Sequence, residues 1–143
     1  MKKFNPSVTL LLFFLVACSS TPDKASVLIS SPTGNEVWGI GSNQVISWDA
    51  KNWDANDFLV LTLEGEAGGE IVCLDREDFT KNQCAWAVEG VLRGDIVAEI
   101  EPGKYTLTAR LYDDLICTTG EGCDQYEESP KLKAKDSVNI VIE

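Results

Sequence analysis

The chain has 143 residues, with 12 Lys and Arg against 23 Asp and Glu and no histidine, so its formal net charge at pH 7 is −11. Nucleic acids bind clustered Lys and Arg, so this charge balance argues against a nucleic-acid partner. The lack of histidine removes the usual general base for a serine or cysteine nucleophile. The length suits one domain with a buried core.

The N-terminus has the composition of an export signal. Lys2 and Lys3 precede an apolar run from Val8 to Ala17 that is interrupted only by Thr9. This run has about the length of a signal-peptide core and is well short of the roughly 20 residues that a membrane-spanning helix needs. Residues 1–17 are therefore predicted to be a signal peptide and are excluded from the fold.

The end of that run, Leu15-Val16-Ala17-Cys18, resembles the lipobox of bacterial lipoproteins. The resemblance implies cleavage before Cys18, a diacylglyceryl group on its sulfur and acylation of the new amine. Ser19 in the next position resembles lipoproteins sorted to the outer membrane. Two or three acyl chains, at about 0.8 kcal/mol per buried methylene, make a stable anchor. Residues 18–26 are then a short polar tether, and residues 27–143 are the folded domain.

The other four cysteines form an even set once Cys18 carries lipid: Cys73, Cys84, Cys117 and Cys123. In an exported protein this predicts disulfides, for which three connectivities exist. Pairing Cys73 with Cys84 and Cys117 with Cys123 is favoured, because short loops close at low entropic cost and each pair brackets a turn-like stretch. A zinc site is the alternative, but the spacing lacks the two-residue knuckles of structural zinc.

Short strand patterns follow one another from Val27 onward. Seven strands are predicted, at SVLIS, NQVISW, FLVLTL, EIVCLD, CAWAV, GKYTLTARLYD and SVNIVIE, with turn-like stretches such as SPTGN and EGEAGG between them. The stretch DIVAEI is ambiguous between a helical turn and a short strand. Seven short strands separated by turns predict an all-β, immunoglobulin-like sandwich.

A family resemblance supports the same fold. The ordered stretches ISSPTGNEVWGIGSNQVISWDA, VLTL, WAV and GKYTLTARLYD resemble the Ig-like domain near the N-terminus of fungal Ser/Thr-rich glycosylphosphatidylinositol-anchored cell-wall proteins, which has bacterial extracellular and lipoprotein relatives. The resemblance covers most of residues 28–142. It implies a β-sandwich at the cell surface or wall and carries over no catalytic residue. The four cysteines and an acidic insertion near Asp124 depart from the family pattern.

The aromatic residues divide into core and candidate ligand-binding positions. Trp48 and Trp86 fall on the predicted inner faces of strands, and Tyr105 resembles a tyrosine corner, whose hydroxyl ties a loop to a strand. Trp38 and Trp53 lie in loop-like contexts, EVWGIG and AKNWDAND. An exposed ring there could stack on a sugar, although a lid over the end of the sandwich is the favoured interpretation.

The segment of residues 113–130 is rich in carboxylates and has no Lys or Arg. A calcium ion with six to eight oxygen ligands would relieve the repulsion among them, but no ordered ligand spacing is present, and a solvated acidic loop is the favoured interpretation. The candidate ligands are Asp113, Asp114, Glu121, Asp124, Glu127 and Glu128.

No motif in the sequence points to catalysis. There is no Gly-rich phosphate loop and no H-E-x-x-H pattern, and any carboxylate pair for glycoside hydrolysis would be an arbitrary choice. We therefore expect a lipid-anchored, non-catalytic binding or structural module of the cell envelope. A carbohydrate-binding module and a calcium-stabilised, adhesin-like domain are the alternatives. The expected partners are the membrane, through the lipid on Cys18, and an envelope protein or polysaccharide.

The anchor gives the first testable prediction. Cys18→Ser should block both lipidation and processing, because the thioether cannot form on a hydroxyl. Labelling with radioactive palmitate and detergent partitioning should both be lost. If the variant still labels and partitions into detergent, the lipobox prediction is wrong.

Overall fold

The computed structural model describes residues 24–74, 81–113 and 130–143. Within these ranges there is no α-helix, and no helix is long and apolar enough to cross a membrane. The ten strands are β1 Ser26–Ser31, β2 Glu36–Trp38, β3 Asn43–Lys51, β4 Phe58–Glu64, β5 Gly69–Glu70, β6 Gln83–Ala87, β7 Gly90–Arg93, β8 Ile96–Glu99, β9 Gly103–Tyr112 and β10 Leu132–Ile142.

The strands form two sheets that pack as a sandwich. The three-stranded sheet has the order β1-β3-β6, and the seven-stranded sheet has the order β2-β10-β9-β4-β5-β7-β8. The prediction of an all-β, Ig-like fold is confirmed. The strand order is that of an immunoglobulin sandwich: β1, β3 and β6 correspond to strands A, B and E, and β10, β9, β4 and β5 to strands G, F, C and C′. The β7–β8 hairpin extends the larger sheet beyond β5.

The first Ig strand is divided between the two sheets. β1 pairs antiparallel with β3, whereas β2 pairs parallel with β10 in the other sheet. The cis peptide bond between Ser31 and Pro32 lies between the two halves. The N-terminal segment therefore contacts both layers of the sandwich.

The core consists of the inward-facing residues of both sheets. Alternation in the stretch GKYTLTARLYD predicts Tyr105, Leu107, Ala109 and Leu111 on the inner face, and β9 buries all four, because successive side chains of a strand point to opposite faces. The three-stranded sheet covers them with its own large side chains, and the predictions for Trp48 and Trp86 are confirmed. The inner residues of that sheet are Val27, Ile29, Ile46, Trp48, Cys84 and Trp86.

The predicted tyrosine corner is present at the start of β9. The Tyr105 hydroxyl donates a hydrogen bond to the carbonyl oxygen of Glu101 at 2.7 Å. The ring lies against Gly65, where an added Cβ would come within 2.5 Å of a ring carbon. Gly65 is therefore needed for the close approach of the ring, which ties the loop before β9 to the strand.

One predicted strand is wrong in most of its length. Of the stretch EIVCLD only Glu70 belongs to a strand, because the chain then leaves the larger sheet. The Ile71 N–H donates to the Leu61 carbonyl at 2.9 Å, whereas the Leu74 N–H donates to the Ala85 carbonyl at 2.8 Å. The chain here crosses from one sheet to the other along an edge of the sandwich, which buries Ile71 but leaves Val72 and Leu74 exposed.

Other differences concern strand ends and short strands. The ambiguous stretch DIVAEI contains β8, and β10 begins at Leu132, earlier than predicted. Neither β2 nor β7 was predicted, since three or four residues are too few for alternation to be recognised. β1 begins at Ser26, one residue before the predicted start of the domain at residue 27.

The disulfide between Cys73 and Cys84 joins the crossing segment to β6. The two Cα atoms are 5.1 Å apart, and the cysteines are separated by 11 positions in the sequence. This is the first of the two predicted pairs. Cys18, Cys117 and Cys123 lie outside the described residues.

Removal of this disulfide should destabilise the domain. Replacing Cys73 and Cys84 together with alanine should lower the free energy of unfolding by about 3 kcal/mol in the chain-entropy model, because the unfolded chain regains the freedom of the closed loop. For a domain of this size that corresponds to a melting temperature lower by about 10 °C. Thermal unfolding monitored by circular dichroism is the measurement. Non-reducing peptide mapping of the wild type is the control, and a Cys73–Cys117 bond there would contradict the pairing.

Candidate functional site

Trp38 is not available to a ligand. Its side chain is only 3% exposed, and its ring packs edge to face against Trp86 with the ring centroids 6.0 Å apart. This burial rules out the less favoured alternative for Trp38, an exposed ring that stacks on a sugar, and is compatible with the favoured interpretation, a lid over the end of the sandwich. The parallel pairing of β2 with β10 turns the ring inward, and that long-range contact is not visible in the local stretch EVWGIG.

Trp53 stays a candidate. It lies in the loop between β3 and β4 and is 39% exposed, so its ring is partly open to solvent. The loop begins at Asn52, which has a positive φ of 54°, and this left-handed conformation turns the chain out of β3. The ring is thus held at one end of the sandwich.

Of the predicted calcium ligands only Asp113 lies within the described residues. Its carboxylate accepts a hydrogen bond from the backbone N–H of Lys131 at 2.5 Å, which closes the base of the β9–β10 connection. The other five candidates lie between residues 114 and 129, outside the described part. Within residues 24–74, 81–113 and 130–143, no group of three or more Asp, Glu, Cys or His side chains is placed to hold a metal ion.

Phe58, five positions after Trp53 in the sequence, forms an aromatic pair with Tyr112. Phe58 begins β4 and Tyr112 ends β9, and the two residues are directly opposite in the antiparallel ladder. Their rings stack with centroids 5.4 Å apart and an interplanar angle of 20°. Both are partly exposed on the outer face of the larger sheet. We call Trp53, Asp54, Asp57, Phe58 and Tyr112 the loop-end surface.

An ion-pair cluster fixes the loop of this surface. The Lys133 Nζ lies 2.6 Å from Asp57 Oδ2 and 3.0 Å from Asp54 Oδ2. The Asp54 N–H also donates to Asp57 Oδ2 at 2.8 Å. The β9–β10 register shifts between Leu132 and Ala134, so Lys133 occupies an irregular position of the kind that redirects a side chain.

The hydrogen bonds and charges of this cluster shift the pKa values of Asp57 and Lys133. Burial raises the pKa of Asp57, whose side chain is 3% exposed, but the hydrogen bonds from Lys133 and from the Asp54 backbone outweigh it, so the pKa lies below its ordinary value. Hydrogen bonds to Asp57 and Asp54 raise the pKa of Lys133. Both groups are therefore charged at neutral pH, and the loop is held by opposite charges.

The outer face of the larger sheet continues from the aromatic pair as a polar surface. Arg110 donates to Thr62 Oγ1 at 2.6 Å and forms an ion pair with Glu64, and the hydrogen bond from Arg110 lowers the pKa of Glu64. Thr108 and Ser137 are 3.2 Å apart through their hydroxyl oxygens. Alternation in the stretch GKYTLTARLYD predicts that Thr108 and Arg110 face outward, but it does not show which residues they contact, or that Thr108 is fully buried on this face.

Near the other end of the sandwich the surface has a shallow depression of about 380 Å³. It is open to solvent and is lined by polar groups of Asn35, Lys104, Thr106 and Asn139, among others. The Thr106 hydroxyl donates to Asn139 Oδ1 at 3.0 Å within it. The volume is at the lower end of the range for small-molecule sites, and the depression does not include the loop-end surface.

Comparisons with other proteins add no relative. No protein-family model matches the sequence, and neither curated proteins nor solved structures give a significant match. The resemblance to the Ig-like domain of fungal cell-wall proteins therefore stays a prediction.

The ion-pair cluster gives a testable prediction. Lys133→Gln should lower the melting temperature at pH 7, because it leaves the nearly buried Asp57 carboxylate without its cationic partner. Lys135→Gln, an exposed position on the same strand, is the matched control and should have a smaller effect. Equal effects of the two substitutions would contradict the assignment.

The pH dependence provides a second readout of the same variant. The pKa of Asp57 is lower in the folded state than its ordinary 3.8, so its stabilisation is present above that pH and is lost as the pH falls through the folded value. The pKa of Lys133 is raised above 10.5, so its stabilisation is present below that pH and is lost as the pH rises through the folded value. The difference between wild type and Lys133→Gln should therefore shrink in strong acid and in strong base.

Proposed function

We propose that this chain is an exported, lipid-anchored β-sandwich that acts as a non-catalytic binding or structural module of the cell envelope, at the outer membrane. The observation that carries the proposal is the Cys73–Cys84 disulfide. Disulfides persist in oxidising compartments and are rare in the cytosol, which supports export. The lipobox-like residues 15–18 supply a matching export and anchoring signal.

Two ion-paired carboxylates are not suited to act as general acids. Asp57 is held by Lys133 and Glu64 by Arg110, and both acids have a lowered pKa. A general acid at neutral pH needs a raised pKa, so these two groups are tuned in the opposite direction. Their ion pairs serve to hold the loop and the sheet face in a defined shape.

The test is a pull-down from envelope extracts with two forms of the protein, the wild type and a soluble form lacking residues 1–18. If the domain itself is a binding module, both forms should capture the same partner. Capture by the wild type alone would assign binding to the lipid. Capture by neither form would contradict a binding role and leave the structural one.

Carbohydrate binding is a second candidate, favoured by the partial exposure of Trp53 in the loop before β4 and by the Phe58–Tyr112 pair at the start of that strand. Aromatic rings at the end of a polar sheet face offer both stacking and hydrogen bonding to a sugar. Trp53→Ala should weaken binding to envelope polysaccharide by about tenfold, which corresponds to about 1.4 kcal/mol of lost ring contact. Affinity electrophoresis is the measurement. Val45→Ala, another exposed apolar position, is the control, and equal mobility of both variants with the wild type would argue against this candidate.

A further inference from the structure

The edges of the two sheets differ in how well they are covered. The Ile29 N–H of β1 donates to the Asp136 carboxylate of β10 at 2.7 Å, so a charged side chain blocks that edge. The β6 edge is covered by the crossing segment, where the Leu74 N–H donates to the Ala85 carbonyl. The third edge strand, β2, is only three residues long. The fourth, β8, ends the seven-stranded sheet.

Among the described strands, β8 pairs only with β7, and we call its other side the open edge. The Ile100 N–H donates to the Glu89 carbonyl at 3.3 Å, on the β7 side of the hairpin. Because the direction of these groups alternates along an antiparallel strand, the N–H and C=O groups of Val97 and Glu99 point away from β7. They are placed to pair with a further strand.

The side chains of β8 are apolar and open on both faces. Ile96 is 71% exposed and Val97 is 70% exposed, the highest values among the large hydrophobic residues of the described part. Successive residues point to opposite faces, so each face of the strand carries one of them. The β7–β8 register is uninterrupted, and β8 contains neither proline nor lysine. Although β8 is short, with four residues, it thus lacks three other devices that usually protect an edge.

Acidic residues stand on either side of the exposed valine. Asp95 precedes β8 and Glu99 ends it, two positions before and after Val97. The nearest cation on the hairpin, Arg93, donates to the carbonyl oxygens of Gly68 and Glu66. The open edge therefore combines an apolar centre with negative charge at both ends.

These charges disfavour a second copy of the chain as the occupant. When the β8 strands of two copies pair antiparallel, the outward N–H and C=O groups of Val97 and Glu99 can form hydrogen bonds in three registers. If Val97 pairs with Val97 of the other copy, Asp95 comes beside Glu99. If Val97 pairs with Glu99, Asp95 comes beside Glu101. The third register puts Glu99 opposite itself. Like charges directly opposite one another destabilise a strand pair.

We propose that β8 is a docking edge for an extended protein segment with Lys or Arg two positions on each side of a β-branched residue, which adds as an eighth strand to the larger sheet. The β-branched residue pairs with Val97, one basic residue lies opposite Glu99, and the other lies near Asp95 in the turn that precedes β8. The inference deepens the proposed binding function, on which it rests, by naming the class of partner.

The test uses the full mature protein in detergent micelles and the peptide SKTVTKS with blocked ends, titrated by NMR. The amide shifts should be largest at Val97 and Glu99. The peptide SETVTES, with the opposite charges, should bind about tenfold more weakly, because it places like charges opposite each other. SKTPTKS has the same charge as SKTVTKS, but its central proline has no N–H to donate to β8. It should bind no more tightly than SETVTES. Equal affinity of SKTVTKS and SKTPTKS would show that the peptides bind through general charge attraction and not by strand pairing, which would overturn the proposal.

Matched variants locate the site. Val97→Lys should weaken SKTVTKS binding about tenfold, whereas Val45→Lys, which makes the same change at an exposed valine of β3, should not. If Val97→Lys does not fold, Glu99→Gln is the second variant, because it removes one charge and keeps the side-chain volume. It should also weaken SKTVTKS binding. Equal effects of the lysine variants, or a cross-linked dimer joined through β8, would overturn the proposal.

The outcomes also separate this inference from the proposed function. Partner capture by the domain in the envelope pull-down, together with no peptide binding, would overturn the β8 site and leave the binding module in place. Peptide binding at β8 without any capture from envelope extracts would support the docking edge and contradict an envelope partner.

Discussion

A sheet of three strands faces a sheet of seven, and this mismatch in width governs the rest of the structure. The three-stranded sheet supplies Trp48 and Trp86, which cover the buried residues of β9 and its neighbours. Covering the apolar inner face is the main stabilising term of such a sandwich, so the strands opposite these rings form the rigid centre. Strands of the larger sheet that the three-stranded sheet does not cover, above all β8, keep apolar side chains in contact with water.

The crossing segment between β5 and β6 follows from the same mismatch. The chain must leave the wide sheet and enter the narrow one along their common edge, and residues 71–74 bond first to one sheet and then to the other. The Cys73–Cys84 disulfide closes this edge at the point where the layers meet. The crossing thus buries Ile71 and covers the outer edge of β6 at the same time.

Charge is distributed unevenly over this acidic protein. At the loop-end surface and on the outer sheet face, Lys133 and Arg110 hold carboxylates in ion pairs, which gives those regions a defined shape. Around β8 the carboxylates of Asp95 and Glu99 face solvent beside exposed apolar side chains. The first arrangement favours a preformed surface, and the second favours a partner that brings its own positive charge.

The sequence by itself determined the features that depend on local pattern. Alternation along β9 identified its buried face, a Gly-x-Tyr placed the tyrosine corner, and short loop length selected the Cys73–Cys84 pair. Only the tertiary structure decided the inward position of Trp38, the addition of β7 and β8 to the far edge of the larger sheet, and the contact of Lys133 with Asp57, 76 positions away in the sequence. Local alternation reports which face of a strand is buried, whereas these three features depend on which distant segments are brought together, and nothing in the neighbouring residues encodes that choice.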